Sequence, residues 1–209
     1  MHRLLTTDLD KKRLRDRLKP GVRVLFVGIN PGVRSAQTGH HFAGYSNRFW
    51  KLLYESRLVP EPVTFEDDDR LPEFGYGITN IVARATPGMN DLGADEYQQG
   101  ARVLLKKIQK YRPEVVALVG VTVYRALLVS LGDRQAMKRA IRLGLQQPPV
   151  SLPARVFVLP NPSGRNANYT YEEMLAVFTS LRRALNRRVS VQNRQGDQFK
   201  TRSSIARAR

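Results

Sequence analysis

Three short apolar runs constrain this chain most: Val22 to Val27, Val115 to Gly120 and Val156 to Leu159. Each is bounded by glycine or proline and rich in branched residues, which reads as a buried strand. The middle run, Val-Val-Ala-Leu-Val, is apolar enough to be covered on both faces. A further strand pattern, Gly77-Ile-Thr-Asn80-Ile-Val, ends near Asn80. Between these runs lie helical periodicities. Asn47 to Ser56 carries Phe49, Trp50, Leu53 and Tyr54 as an apolar stripe, read as core packing. Asp95 to Tyr111 places Ala101, Leu104, Leu105 and Ile108 on one face, Val121 to Leu131 follows, and Tyr171 to Arg187 closes the pattern. Strands alternating with helices predict an α/β fold, a three-layer αβα sandwich around a central, mostly parallel β-sheet, with right-handed crossovers.

Two of the strands run into polar turns: Gly28-Ile29-Asn30-Pro31-Gly32 and Asn161-Pro162-Ser163-Gly164-Arg165. Ligands of open α/β sheets bind in the crevice outside the carboxyl ends of the strands. Either turn alone is ordinary turn chemistry; two of them on one sheet edge predict a site. Neither contains a phosphate-loop Gly-Lys-Ser/Thr nor a Gly-x-Gly-x-x-Gly. This counts against a nucleotide-binding protein of flavodoxin type.

Charge narrows the partner. The chain has 35 basic and 18 acidic residues, a net +17, which favours a polyanion such as nucleic acid. At 42% hydrophobic it can still build a core. There is no cysteine, which removes disulfides, thiolate catalysis and iron–sulfur clusters. His2, His40 and His41 are the only imidazoles, so a zinc site and the zinc-dependent base deaminases are not expected. No metal or other cofactor is expected. The apolar runs are too short to cross a membrane, and no signal-peptide stretch is visible. The expectation is a cytoplasmic protein, nucleoid-associated if bacterial, and not secreted.

A length of 209 residues favours one domain plus flanking segments. Residues 1–20, rich in Asp, Lys and Arg and anchored by Leu4, Leu5, Leu14 and Leu18, read as a surface helix ended by Lys19-Pro20-Gly21. Residues 21–187 hold the folded domain. Residues 188–209 carry six basic residues against Asp197 alone and read as a basic, disordered tail. Residues 59–74, with Asp67-Asp68-Asp69, read as a solvated acidic loop rather than a metal site. His40 and His41 read as exposed loop within reach of phosphate.

Gly28-Ile-Asn-Pro-Gly32, then Thr38-Gly39, Phe42-Ala43 and Asn47-Arg-Phe-Trp-Lys51, and later Leu159-Pro-Asn-Pro-Ser-Gly164, resemble the mismatch-specific uracil-DNA and thymine-DNA glycosylase family in order, spacing and strand context. The resemblance spans about residues 20–185, so residues 21–187 are expected to form a DNA glycosylase domain. It implies hydrolysis of the N-glycosidic bond of uracil, or a related pyrimidine, in duplex DNA. The nucleotide must then be flipped out, which costs less for a mispaired base. Expected partners are double-stranded DNA with a mismatched or damaged base and the abasic product, bound by a monomer.

The same resemblance assigns roles. Asn30 matches the catalytic asparagine. An amide lacks the basicity of a carboxylate, but it can accept a hydrogen bond from water and aim it at C1′, which is catalysis by positioning. A carboxylate there would add general-base help of ~10²–10⁴-fold, so a slow chemical step is expected. No Schiff-base lysine is implied, so the enzyme should be monofunctional. Phe42 matches the ring that stacks on the flipped base, a contact worth about 1–3 kcal/mol. Backbone groups around Gly28, Ile29 and Phe42 should read the pyrimidine edge, and Ser35 falls at a small polar pocket position. Asn80 either reads a pyrimidine edge with its amide or caps its strand. Asn161, Pro162, Ser163, Gly164, Arg165 and Asn166 form the expected minor-groove wedge. Wedge side chains are commonly apolar; Arg165 departs from the leucine of bacterial mismatch-specific enzymes and is similar to the thymine-DNA glycosylase branch. A DNA-binding module that kept the fold and lost the chemistry is the competing reading.

Overall fold

The computed structural model describes residues 13–133, 135–147 and 152–187. Strand β1 is Val24–Gly28, β2 Tyr76–Asn80, β3 Val115–Val119, β4 Gly144–Gln146 and β5 Arg155–Leu159. They form one sheet in the order β2-β1-β3-β5-β4, parallel except for β4, which pairs antiparallel with β5. Helix α1 is Val33–Thr38, α2 Phe49–Glu55, α3 Ala94–Tyr111 and α4 Val121–Ser130; α5 covers 171–187. The result is an α/β fold with a central mixed sheet and flanking helices.

The uninterrupted apolar runs follow from burial on both faces. Successive side chains of a strand point to opposite sides. Val24 and Phe26 of β1 therefore join a core with Phe49, Leu52 and Leu53 of α2 and Met174, Phe178 and Leu181 of α5. Leu25 and Val27 join a second core with Leu104 and Ile108 of α3 and Val123 and Leu127 of α4. Phe49 meets Phe26 edge-on at 5.3 Å and Phe178 at 6.2 Å, so truncating it to alanine removes contacts to two elements and costs about 3–5 kcal/mol. Phe49 and Trp50 are core, as read; Tyr54 is 41% exposed and is not.

Strand order reverses between β1 and β3: the chain leaves β1 for β2 on one side and returns to β3 on the other. This switch point opens a crevice at the carboxyl edge, and β1 and β5 both deliver their polar turns there. Parallel register sets Gly28 beside Asn80, and Gly120 N–H donates to the Leu159 carbonyl at 2.9 Å. Gly120 has φ of 118°, a conformation that favours glycine, and a Cβ there would stand in ordinary contact with Asn161.

Several expectations need correction. Residues 13–20 contain no helical turn; positions 1–12, and the expected tail 188–209, lie outside the described residues. Arg17 instead exchanges backbone hydrogen bonds with Ile78 at 3.0 and 2.9 Å, and Arg13 bridges Arg84. This segment is a strap along β2, whose outer edge would otherwise stand unpaired. Pairing with a sheet edge is a tertiary event, which local periodicity does not register. The solvated acidic loop is also wrong in its centre. Phe65–Phe74 is a 3₁₀ helix begun by Thr64, whose backbone N–H and hydroxyl both donate to Asp67. Its three-residue repeat turns Asp68 and Leu71 inward together, both fully buried. α1 and β4 had no counterpart in the sequence reading, being only six and three residues long.

Candidate active site

A cleft of about 720 Å³ lies at the carboxyl edge of the sheet. Of the expected pocket residues, Ile29, Asn30, Ser35, Phe42 and Asn80 line it, and Asn161, Ser163 and Arg165 line its far wall. Gly28, Pro162, Gly164 and Asn166 do not line it, and each has a different place.

Gly28 lies beneath the cleft. A Cβ there would collide with Asn80 Oδ1 and press on Phe42 at 3.4 Å, so its missing side chain is what lets those two groups converge. The Gly28 and Ile29 carbonyls already accept from Ile81 and Val82 N–H at 2.9 and 2.8 Å. They join the strand end to the segment after β2.

Asn30 is held by that same segment. Its Nδ2 donates to Thr86 Oγ1 at 2.7 Å, with longer contacts to the Pro31 and Arg84 carbonyls at 3.2 and 3.4 Å. Thr86 is buried and its one hydroxyl proton goes to the Gly88 carbonyl at 2.5 Å. The Thr86 oxygen can therefore only accept from Asn30, which sets the amide with Nδ2 inward. Among the described residues no donor reaches Asn30 Oδ1, so the cleft holds an oriented acceptor. Arg84 in turn is paired with Glu96 at 2.8 Å. The Arg84 guanidinium, with Gly93 N–H, pulls the Glu96 carboxyl down to about 2.

Phe42 has φ of 52° and its ring stacks on Phe49 at 4.2 Å with 25° between planes. One face is thus core and the rest fronts the cleft, so packing and exposure to a ligand are not alternatives at this residue. Ser35 is buried and accepts from Ala43 N–H at 3.1 Å, which fastens the Phe42 loop to α1. Its hydroxyl oxygen is engaged in structure.

Asn80 faces His41. The exposed-loop reading of His41 is wrong: it is 1% exposed. Its backbone N–H donates to Asp68 Oδ2 at 2.8 Å, its carbonyl accepts from Trp50 Nε1 at 3.1 Å, and its Nε2 lies 3.0 Å from the Arg15 carbonyl. Burial pushes the imidazole pKa below its ordinary value. Asp68 also takes Arg17 Nε at 2.9 Å and His40 Nδ1 at 3.0 Å. One buried carboxylate thus ties the strap, the 3₁₀ helix and the Phe42 loop together. Sequence reasoning missed Thr86, Asp68 and the strap because their partners lie far along the chain. The available signal was an acid within the charge run standing three residues before Leu71, the 3₁₀ repeat.

The second turn is shaped from within. Asn161 Oδ1 accepts from Ser163 N–H at 3.0 Å, Ser163 Oγ from Arg165 N–H at 3.3 Å, and Asn166 Nδ2 donates to the Asn161 carbonyl at 2.8 Å. Arg48 N–H donates to the buried Pro162 carbonyl at 2.9 Å, pinning the turn to the start of α2, where Asn47 Oδ1 accepts from Phe49 N–H at 3.0 Å. A Cβ on Gly164 would strike Ser46, so the turn seats flush on the 44–47 loop only with glycine there. Arg165 is exposed and projects at the rim; the Asn166 amide is committed to the turn.

No group of three or more potential metal ligands occurs among the described residues. The cleft therefore offers an oriented neutral acceptor, an aromatic surface, an amide beside a neutral imidazole, and a basic rim. A family model for the uracil DNA glycosylase superfamily matches residues 16–185, from within the strap to the last turn of α5, so every strand and helix around the cleft lies inside the match and only Leu14 of its lining precedes it. The chain belongs to that superfamily, and with it to the glycosylase-type hydrolases acting on pyrimidine bases.

Proposed function

We propose that this protein is a monofunctional, mismatch-directed uracil-DNA glycosylase, built as a three-layer αβα domain, that starts base excision repair in the cytoplasm. Uracil paired with guanine, and thymine or damaged pyrimidines where they fit, is flipped from duplex DNA into the cleft, with mispairing lowering the cost of extrusion. The flipped ring stacks on Phe42, which Phe49 backs from the core. Asn30 Oδ1 accepts a hydrogen bond from a water molecule and aims it at C1′. The water oxygen bonds to C1′ as the C1′–N1 bond breaks. The bonding pair leaves on N1, a proton is released, and the products are free base and an abasic site.

The observation that carries this reading is the fixed Asn30 amide. With Nδ2 tied to Thr86 and Thr86 tied to Gly88, Oδ1 does not have to reorganise to orient water. Being neutral, it adds no general base, so the chemical step should be slow. Arg165, at the rim on a turn seated by Gly164, fills the space left by the flipped nucleotide or holds the adjacent phosphate; a guanidinium can do both. The net charge of +17 supplies non-specific DNA affinity.

Alkali-revealed strand cleavage tests this on uracil opposite guanine, uracil opposite adenine, single-stranded uracil and thymine opposite guanine, with Asn30→Ala alongside. Cleavage of guanine-paired uracil that depends on Asn30 is expected. No cleavage of any substrate, with tight binding of abasic duplex retained, would replace the enzyme with a damaged-DNA-binding module.

A further inference from the structure

Tyr45 lines the mouth of the cleft but takes no part in the chemistry proposed for it. It is 90% exposed, and among the described residues no other large apolar side chain is as open. The backbone imposes that exposure. Asn47 N–H donates to the Gly44 carbonyl at 2.9 Å, a four-residue turn with Tyr45 and Ser46 at its corner. Gly164 packs against Ser46, so this turn is held against the wall that carries Arg165. The ring is held as well. The Arg34 guanidinium, from α1, lies 3.7 Å from its centroid, and Arg34 Nε donates to the Ala43 carbonyl at 2.7 Å. Phe65 stands 5.4 Å from the same guanidinium. Among the described residues no acceptor reaches the two η nitrogens of Arg34. The mouth thus carries a fixed aromatic plane, one face on a cation and the other on solvent, beside a fork of open donors.

We infer that Tyr45 and Arg34 form a subsite for single-stranded DNA, through which the protein excises uracil from unpaired strands as well as from duplex. The base next to the target stacks on Tyr45, and Arg34 takes the phosphate between the two nucleotides. The inference rests on the proposed reading of the cleft as a glycosylase pocket. An unpaired strand needs a stacking surface for its bases and a cation for its backbone, and a ring lying on a guanidinium supplies both. Phe42 and Tyr45 are three residues apart, at most about 11 Å of chain, so neighbouring bases of one strand can reach both rings. A duplex has no use for the second ring. When one nucleotide is extruded its neighbours stay in the stack, whereas an unpaired strand offers free base faces, and every base has one. The two sides of the mouth then divide the substrates. The Arg165 turn enters a groove, which only a duplex has, and Tyr45 takes a base that only an unpaired strand frees.

Measuring kcat/KM on single-stranded uracil and on guanine-paired uracil, for the unsubstituted protein, Tyr45→Ala and Tyr45→Phe, tests this. Tyr45→Ala should lower the single-strand value about tenfold more than the duplex value, the worth of one base–aromatic stack. Tyr45→Phe keeps the ring and should keep the ratio of the unsubstituted protein. Equal losses on both substrates, no loss on either, or a selective loss that phenylalanine does not rescue overturns the inference. Arg34→Ala should reduce the salt slope of single-strand binding by about 0.7, the share of one phosphate; an unchanged slope removes Arg34 from the subsite. A second measurement needs no turnover. A single strand with 5-iodocytosine beside a tetrahydrofuran abasic analogue is bound and irradiated, and a crosslink to Tyr45 is expected. Crosslinks that avoid Tyr45 overturn the inference. Cleavage of guanine-paired uracil with none of single-stranded uracil also defeats it and leaves the glycosylase reading standing. No cleavage of any uracil, with the Tyr45 crosslink present, instead defeats the glycosylase reading and leaves the strand-binding subsite.

Discussion

The turn after β1 and the turn after β5 have nearly the same composition, Asn-Pro-Gly and Asn-Pro-Ser-Gly, yet they use their amides in opposite ways. Asn30 is gripped chiefly from outside its turn, by Thr86 on the segment after β2, with longer contacts to the Arg84 carbonyl there and to Pro31 of its own turn. That leaves one oriented oxygen for a ligand. Asn161 and Asn166 grip their own turn, binding Ser163 N–H and the Asn161 carbonyl. That leaves a stiff loop whose outward group is Arg165. The first turn holds a side chain still and the second holds a backbone shape still. A site that aims water needs the former, and a surface that enters a groove needs the latter. Identical turn residues therefore carry no role until their hydrogen-bond partners are known.

The two turns differ in what single substitutions should do to them. The largest effect should come from Asn30→Ala, a fall of at least ~10²-fold in the single-turnover rate on guanine-paired uracil with abasic-duplex affinity nearly unchanged. Gly28→Ala should be next: a Cβ driven into Asn80 Oδ1 and Phe42 costs about 1–3 kcal/mol in a denaturant titration and lowers uracil turnover as well. Thr86→Val removes the acceptor that orients Asn30, together with the hydroxyl's bond to the Gly88 carbonyl. It should slow the chemical step roughly tenfold at unchanged DNA affinity; a change in affinity alone would mean that Thr86 merely shapes the cleft wall.

Effects on the second turn should be smaller and lie in binding. Arg165→Ala should weaken damaged duplex more than plain duplex and reduce the salt slope by about 1. If it slows the single-turnover rate as much as Asn30→Ala, the division between the two turns fails. The smallest effect expected is on stability against pH. The folded His41 pKa lies below its unfolded value of 6.5, so the folded state binds fewer protons there. The corresponding stability is present above pH 6.5 and is lost as pH falls through the folded value. His41→Leu should flatten thermal melts recorded between pH 7 and 5 relative to the unsubstituted protein.

Much of the fold was legible because its strands are buried on both faces. Val24 to Val27 and Val115 to Val119 feed alternate side chains into two cores, and only an unbroken apolar run satisfies both. The elements missed were short or paired to something distant: α1, β4, the 3₁₀ helix and the strap. At the site, Asn30, Phe42, Asn80 and Arg165 were found from motif and strand context. Asp68, Thr86 and the buried state of His41 were not, because a charge run and a loop histidine look solvated until another segment closes over them. Ser35 lines the cleft as read and also accepts from Ala43 N–H, while the Asn166 amide is engaged with the Asn161 carbonyl.

The chain by itself determined the α/β class, the edge of the sheet on which the two polar turns meet, and the basic character of the molecule. These depend on residue type and local period, which neighbours in sequence supply. Tertiary structure alone decided which way each amide points. Thr86 stands 56 residues from Asn30 and His41 stands 39 from Asn80. A hydrogen-bond direction is set by the group at its other end, and folding is what brings that group into place.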